Sequence, residues 1–252
     1  MPSATTPDPG PPLEAGPALA QSFSILGANV GALALMTLGI HLPVLATQLY
    51  LIAAPAVAAR AQPSIALLVG AQLFFTALST GAVTHATLRQ LDGKPAPVSE
   101  CLRVAINRAA VILVINVLTL VAVFCGTLAL VLPGLFVATV LFVAAPSAVA
   151  EGLGVFASIQ RSIELTRGAR WGIFGLWIMP IAMVLGLHLV AIRALVDMTA
   201  ERPLEEPRFQ AVSAVISVLF QALSSVTMAV AYRKLRGQAA SGARPDFGPG
   251  LD

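Results

Sequence analysis

This sequence has few charged residues. Asp, Glu, Lys and Arg make up 11% of the 252 residues, against about 25% in a typical soluble domain. Fifteen basic and 12 acidic side chains are too few to cover the surface of a water-soluble protein of this length. Intrinsic disorder is excluded too, because 57% of the residues are hydrophobic and the mean hydropathy is +0.86, whereas disordered chains combine low hydrophobicity with high net charge. The composition therefore predicts an integral membrane protein.

Residues that build disulfide, metal and nucleic-acid sites are scarce as well. The two cysteines, Cys101 and Cys125, form no CxxC motif, and neither HxxxH nor HExxH occurs. A disulfide scaffold and a metal site are therefore not expected, and we predict no cofactor. The net charge of +3 comes from basic residues spread singly along the chain. They form no stripe that could follow a phosphate backbone, so nucleic acid is not an expected partner.

Long charge-free runs are what the sequence has instead. Forty-two uncharged residues separate Arg108 from Glu151, twice the about 20 that one transmembrane helix needs. The VLPG motif at 131–134 interrupts this run, and Pro and Gly together predict a helix end and a tight turn. The run therefore predicts two spans, 109–131 and 134–150. The same test places four further spans at 29–53, 63–88, 171–195 and 209–232.

The first charge-free run, 45 residues long, has room for two spans. We predict one span, preceded by a surface segment at 17–28, because Gln, Ser and Gly dilute that segment. The total is then six spans, with seven as the alternative. Residues 1–16 and 237–252 are predicted to be disordered tails, and the N-terminus lacks the basic n-region of a signal peptide. The expected fold is an all-α, polytopic membrane domain over 17–236, with its spans in three hairpins.

Six spans place both termini on the same side of the membrane. With the termini in the cytoplasm, 11 of the 15 basic residues lie on the cytoplasmic side, as the positive-inside rule requires. We therefore predict a multi-pass protein of the bacterial cytoplasmic (inner) membrane with both termini cytoplasmic. The 11 residues are Arg89, Lys94, Arg103, Arg108, Arg161, Arg167, Arg170, Arg233, Lys234, Arg236 and Arg244, and the four on the outer side are Arg60, Arg193, Arg202 and Arg208.

Two predicted cytoplasmic connections, 97–108 and 153–168, have apolar residues at helical spacing. Such segments are typical of short amphipathic helices that lie in the membrane interface. Together with 17–28, they divide the chain into three units, each a surface helix followed by a transmembrane hairpin. The residues that share a face are Val98, Leu102, Ala105 and Ile106 in the first segment, and Val155, Ile159, Ile163 and Thr166 in the second.

Residues at helix ends and turns around the predicted central hairpin match those of a known family. They are Leu132, Pro133 and Gly134; Pro146, Glu151 and Gly152; Arg161, Ser162, Leu165, Thr166, Gly168 and Trp171; and upstream Gly93 and Pro95. Through them, residues 80–170 resemble the membrane domain attached to some bacterial glycerophosphodiester phosphodiesterases, and related stand-alone multi-helix membrane proteins. The phosphodiesterase itself is a barrel of about 250 residues, for which this sequence has no room. The resemblance therefore implies a membrane fold and no phosphodiesterase activity.

Three arginines, Arg161, Arg167 and Arg170, form a basic cluster at the predicted inner surface. They are the candidate contacts for anionic lipid headgroups, to which each basic residue near the surface contributes about 1 kcal/mol. The alternative role of the cluster is to set the topology. Glu151, at the inner end of the fourth span, is predicted to pair with a basic residue of the surface helix that follows it.

Two histidines, His41 and His188, fall inside predicted spans, where an ionisable side chain is a functional candidate. They are the candidate cavity residues of a transporter, together with Pro43 and Pro180, which are expected to kink their helices. A hydrogen bond to a neighbouring helix is the alternative role of each histidine. The GANVG segment at 27–31 has the GxxxG spacing of a close helix contact.

Acidic residues are absent from every predicted span. Their absence disfavours proton- or sodium-coupled transport and leaves no pair of carboxylates for acid–base catalysis. The sequence therefore predicts a non-enzymatic membrane protein with a structural role, or one that interacts with membrane lipids, a protein partner or a second copy of itself. The alternative is a transporter or permease-like protein with a central cavity.

Overall fold

The computed structural model describes residues 13–53, 65–196 and 207–240. These residues form helices and connecting turns and contain no strand, which confirms the all-α class. In chain order the helices of this part are α1 (Ala15–Ala28), α2 (Val30–Ala53), α3 (Ile65–Leu91), α4 (Val98–Ala129), α5 (Val131–Val140), α6 (Ala144–Glu151), α7 (Val155–Thr166), α8 (Arg170–Leu195) and α9 (Pro207–Ala240).

Six stretches of the described residues are long and apolar enough to cross a membrane. They lie on α2, α3, α4, α5 with α6, α8 and α9. The 14 residues of α1 extend over about 21 Å, less than the about 30 Å of a hydrocarbon core. Within the described residues the first charge-free run thus holds one span, and this part of the chain has six candidate spans, as expected of a multi-pass membrane protein. Most residues of the predicted tails, 1–12 and 241–252, lie outside the described residues.

Helices α3 and α9 run side by side in the same direction at the centre of the bundle. Gln221 Nε2 donates a hydrogen bond to Thr80 Oγ1 at 3.1 Å, and Arg233 forms an ion pair with Asp92 at 2.7 Å. Both pairs join residues 141 positions apart, so the two helices stay in one register over a length of about 18 Å. Their ends at Asp92 and Arg233 lie together, and we refer to this end of the bundle as the charged end.

The α4–α5 hairpin turns at Leu130, slightly before the predicted position. Pro133 and Gly134 lie in the first turn of α5 rather than in the connection, where the missing N–H of proline costs nothing because the first helical N–H groups have no partner. Glycine is required at this crossing. A Cβ on Gly134 would lie 2.8 Å from the backbone nitrogen of Thr127, and one on Gly126 would lie 2.9 Å from Cα of Gly134.

The prediction of a close contact at 27–31 is wrong in this structure. A Cβ on Gly27 or Gly31 would meet no atom within 4 Å, so this GxxxG spacing brings no helix close. The close approach occurs in the α4–α5 hairpin instead. Spacing along one helix does not reveal which glycine faces a neighbour, because that depends on how the two helices cross.

The interfacial helix predicted at 97–108 is also not a separate element. These residues form the start of α4, which continues without a break to Ala129. No proline or glycine occurs between Val98 and Cys125, so nothing stops the helix where the charges end. The apolar face that the spacing indicated belongs to an extension of the transmembrane helix, and Ala105 on this face packs directly against Gly81 of α3.

The fourth span is interrupted at 141–143, which separates α5 from α6. Pro146 explains the break, since it has no N–H to donate to the carbonyl of Phe142 and its ring clashes with that carbonyl. Pro146 instead lies in the first turn of α6, where proline is well tolerated. The break leaves the carbonyl of Val140 available for partners outside its own helix.

Helix α7 uses that carbonyl and buries a different face from the one predicted. Ser162 Oγ donates to the oxygen of Val140 at 2.7 Å, and Thr166 Oγ1 lies 3.5 Å from the same atom. Ser158, Ser162, Leu165 and Thr166 are the buried residues of α7, whereas Ile163 of the predicted apolar stripe is 37% exposed. Ser162 and Thr166 face the protein because their hydroxyl groups reach the carbonyl left free by the break, Leu165 is buried beside them, and Phe156 and Ile163 face outward.

Candidate functional site

Glu151 is the centre of a hydrogen-bonded cluster at the charged end. It is the last residue of α6, and Gly152 follows it with a left-handed φ of +70°. The Glu151 carboxylate accepts a hydrogen bond from the hydroxyl of Tyr232 at 2.7 Å and one from Nε of Arg161 at 3.1 Å. Tyr232 is buried. The cluster therefore ties α6, α7 and α9 together through one carboxylate.

Arg161 is held by two carboxylates, Glu151 at 3.1 Å and Glu164 at 3.5 Å. Burial lowers the pKa of its guanidinium, but the hydrogen bonds and negative charges of the two carboxylates outweigh burial, so the pKa of Arg161 is raised above its ordinary value. Pairing of Glu151 with a basic residue of the following helix, predicted from the sequence, is present in the structure. Arg161 is thus engaged within the protein, which makes it the least suitable of the three candidate lipid contacts.

Three further contacts strengthen the charged end. Arg108 of α4 donates to the backbone oxygen of Gly152 at 2.9 Å, which fixes the α6–α7 connection against α4. Glu100 lies 3.4 Å from both Nε2 of His85 and Nη2 of Arg89. These pairs join α3 to the start of α4. The charged end is therefore a network that positions helices, and its side chains are largely paired with one another.

Arg170 lies at the mouth of an apolar groove between α5 and α8. Its Cζ lies 4.8 Å from the ring centroid of Phe136, close enough for a cation–π interaction. The next residue, Trp171, is 87% exposed. The groove has a volume of about 660 Å³. Its lining residues are Leu132, Pro133, Leu135, Phe136, Thr139, Arg170, Trp171 and Phe174.

The three arginines predicted as lipid contacts thus have different surroundings. Arg161 is paired with carboxylates, Arg170 borders the apolar groove, and Arg167 is exposed beyond the end of α7. Sequence reasoning grouped the three arginines by their proximity along the chain. It missed the aromatic residues that Arg170 meets, because Phe136 belongs to another helix.

The structure does not bring His41 and His188 into one cavity. His41 lines a cavity of about 370 Å³ between α2, α3 and α9, whereas His188 lines none of the four cavities described here. Each ring Nδ1 lies 2.9 Å from a carbonyl of its own helix, that of Thr37 for His41 and that of Val184 for His188. Neither histidine therefore uses this nitrogen for a contact with a neighbouring helix.

The prolines that were grouped with the histidines also lie apart. Pro43 borders a cavity of about 400 Å³ with residues of α3 and α4, and Pro180 borders one of about 450 Å³ with residues of α3, α4, α5 and α9. A single central cavity with all four predicted residues is therefore absent from the described part of the chain.

Sequence reasoning missed a row of polar side chains on α9. Gln210, Ser213, Ser217 and Gln221 follow one another at helical spacing, and all four line the same cavity as His41. The signal was present in the sequence, because polar residues at i, i+3, i+7 and i+11 form one stripe on an otherwise apolar helix.

Metal-binding side chains are dispersed in this part of the molecule. Among residues 13–53, 65–196 and 207–240, no three His, Cys, Asp or Glu side chains lie close enough together to hold a metal ion. Cys101 is buried and Cys125 is exposed, and both thiols are free.

Comparison with known proteins identifies one family. Residues 98–235 match the domain of unknown function DUF7847, which is more than half of the chain and extends from α4 to near the end of α9. No curated protein and no solved structure matches the chain. The matched region contains the Glu151 cluster, the broken fourth span and the groove at Arg170. The chain belongs to the DUF7847 family.

Proposed function

We propose that this protein is a non-enzymatic component of the bacterial cytoplasmic membrane that binds an anionic phospholipid in the groove between α5 and α8. The groove at Arg170 carries this proposal. Seven of its eight lining residues are uncharged, and the eighth is a cation. An acyl chain fits the apolar part, and a phosphate-bearing headgroup fits the guanidinium.

The position of the cation along its helix supports a lipid over a soluble ligand. Arg170 is the first residue of the span Arg170–Leu195, so it lies where the hydrocarbon region ends. Trp171 beside it is almost fully exposed, as expected of a tryptophan at the membrane–water interface. The groove extends from these two residues along the Leu132–Phe136 face of α5, which is the direction that an acyl chain takes into the bilayer.

Replacing Arg170 by glutamine tests the headgroup contact. We expect Arg170→Gln to lower the affinity for phosphatidylglycerol about 5-fold, which corresponds to the about 1 kcal/mol of one near-surface cation. The affinity for phosphatidylcholine should change little. Lipid binding is measured by native mass spectrometry on purified, delipidated protein that is titrated with each lipid.

Arg193→Gln is the matched control, because Arg193 lies in the last turn of the same helix. If Arg193→Gln loses as much phosphatidylglycerol as Arg170→Gln does, the effect is general electrostatics and the groove is not the site. Unchanged binding by Arg170→Gln contradicts the proposal directly. Co-purification of a protein or a second copy in place of lipid favours the scaffold role that the sequence left open.

The orientation is part of the same proposal. Among the described basic residues only Arg193 and Arg208 lie at the end opposite the charged end, while Arg60, Arg202 and Arg244 lie outside the described residues. By the positive-inside rule the charged end faces the cytoplasm. We expect a green fluorescent protein fused after Asp252 to fluoresce and an alkaline phosphatase fused there to be inactive. Active phosphatase reverses the orientation.

The resemblance of residues 80–170 to the membrane domain of glycerophosphodiester phosphodiesterases belongs to this proposal as well. A membrane domain that holds a phospholipid would suit both the fused and the stand-alone forms. The resemblance rests on Leu132, Pro133, Gly134 and Pro146, which shape the α4–α5 hairpin and the α5–α6 break. A phosphodiesterase assay on the purified chain should show no activity above background.

A further inference from the structure

The cavity between α2, α3 and α9 is lined by several polar side chains. The cavity has a volume of about 370 Å³, near the lower limit of about 300 Å³ for small-molecule sites. Its polar lining consists of an imidazole, four amides and two hydroxyls. These residues are His41, Gln48, Gln72, Gln210, Ser213, Ser217 and Gln221.

The cavity occupies the half of the bundle away from the charged end. Along α9, Gln210 is 23 residues and Gln221 is 12 residues from Arg233, or about 34 Å and about 18 Å. The hydrocarbon core is about 30 Å thick. The polar lining therefore extends from the opposite membrane surface to the middle of the membrane, where polar groups are costly unless they have a partner.

Helix packing satisfies only part of this lining. Gln221 is held by Thr80 at 3.1 Å and by Ser225 at 3.4 Å, and it is the lining residue of α9 nearest the charged end. Ser213 Oγ is buried and has no hydrogen-bond partner among the described residues. Gln48 and Ser217 are exposed to the cavity. A lining built only for helix association would pair these groups with one another.

The hydrogen-bonding chemistry specifies the ligand class. Since a carbonyl only accepts, the Nδ1 of His41 that faces the Thr37 oxygen at 2.9 Å carries the proton, and in the neutral ring Nε2 is an acceptor. The amides supply donors and acceptors, and the hydroxyls supply both. No Asp, Glu, Lys or Arg is among the lining residues that the structure describes, so an ion would have no counter-charge from them.

We propose that this cavity is a binding site for a small, uncharged solute with several hydrogen-bonding groups, such as a polyol, an amide or a sugar. The site is separate from the lipid groove, with which it shares no lining residue. We infer that a solute enters from the membrane surface opposite the charged end, since Gln210 lies nearest that surface among the lining residues of α9.

Cysteine accessibility in lipid nanodiscs, where both faces are open to water, tests the proposal. The background replaces Cys101 and Cys125 by alanine. Ser217→Cys places a thiol in the cavity, and Val215→Cys is its control, because Val215 is 58% exposed but lies outside the lining. We expect neutral hydroxyethyl methanethiosulfonate to modify Ser217→Cys about 10-fold faster than Val215→Cys, since thiols react as hydrated thiolates.

Two further comparisons test the ligand class. The cationic trimethylammonium reagent, normalised to its rate with free cysteine, should react with Ser217→Cys about 10-fold more slowly than the neutral reagent, because the described lining residues offer no counter-charge. Glycerol, urea or glucose should slow the neutral reaction. Equal rates at Ser217→Cys and Val215→Cys, equal rates for the two reagents, or no protection by any of the three solutes would each overturn the proposal.

A second pair of variants keeps the proposal testable if one variant of the first pair does not fold. Gln72→Cys lies on the α3 wall of the cavity, and Phe74→Cys is its control, being 42% exposed and outside the lining. The same ratio of rates is expected, and equal rates in this pair would also overturn the proposal.

Discussion

Glu151→Ala is expected to lower the free energy of unfolding by about 2 kcal/mol, because the substitution leaves the Tyr232 hydroxyl and the Arg161 guanidinium without their shared acceptor. The Tyr232 side chain is buried, but Arg161 is 32% exposed and water will solvate part of its charge. The expected loss of unfolding free energy is therefore smaller than the loss on breaking a fully buried ion pair. It corresponds to a fall in Tm of about 5 °C for a chain of this size. Thermal unfolding of the purified protein, followed by tryptophan fluorescence, measures it.

Two variants distinguish this cluster from ordinary surface charge. Glu164→Ala removes the other carboxylate of Arg161, which is 48% exposed, and should change stability by less than about 0.5 kcal/mol. Tyr232→Phe removes one hydrogen bond and should cost about 1 kcal/mol. If Glu151→Ala unfolds at the same temperature as Glu164→Ala, the carboxylate does not join the three helices.

Gly134→Ala is expected to destabilise the protein by about 2 kcal/mol, within the range for overpacking a tight contact. The added Cβ would lie 2.8 Å from the nitrogen of Thr127 and 3.0 Å from the carbonyl oxygen of Val123. Both are backbone atoms of α4, so relief requires the two helices of the hairpin to separate. The same fluorescence experiment measures the fall in Tm.

Gly27→Ala and Gly31→Ala are the matched controls, and their effect should have the opposite sign. A Cβ at either position meets nothing within 4 Å. Alanine should therefore stabilise α1 or α2 by up to about 1 kcal/mol through its higher helix propensity. The opposite result would contradict this prediction. If Gly27→Ala and Gly31→Ala lower Tm while Gly134→Ala leaves it unchanged, the GxxxG segment at 27–31 forms the close helix contact.

The spans could be predicted because their signal is local. A run such as 109–131 inserts into the membrane whichever helices pack against it, since the free energy of insertion is a sum of contributions from its own residues. Helix ends are less local. Arg108 marked the start of the predicted span, yet α4 begins ten residues earlier at Val98, because a helix stops at Pro, Gly or a competing contact rather than at the membrane surface.

The candidate sites depended on residues far apart in the chain. Glu151 and Tyr232 are separated by 81 positions, and no pattern near either residue indicates the other. Arg170 and Phe136 come from different helices in the same way. The polar stripe from Gln210 to Gln221 was visible in the sequence, but that it forms a cavity with His41 depends on how α2 and α9 pack.

The sequence by itself indicated a membrane environment, the helical class and six or seven spans, because insertion into a bilayer depends on the local balance of apolar and charged side chains. Only the tertiary structure decided what the few polar groups do. In the tertiary structure Glu151 accepts hydrogen bonds from Arg161 and Tyr232, and the carbonyl of Val140 accepts one from Ser162. His41 and His188 lie apart. The physical reason is that a buried polar group needs a hydrogen-bond partner, and where that partner belongs to another helix, the crossing of the two helices selects it.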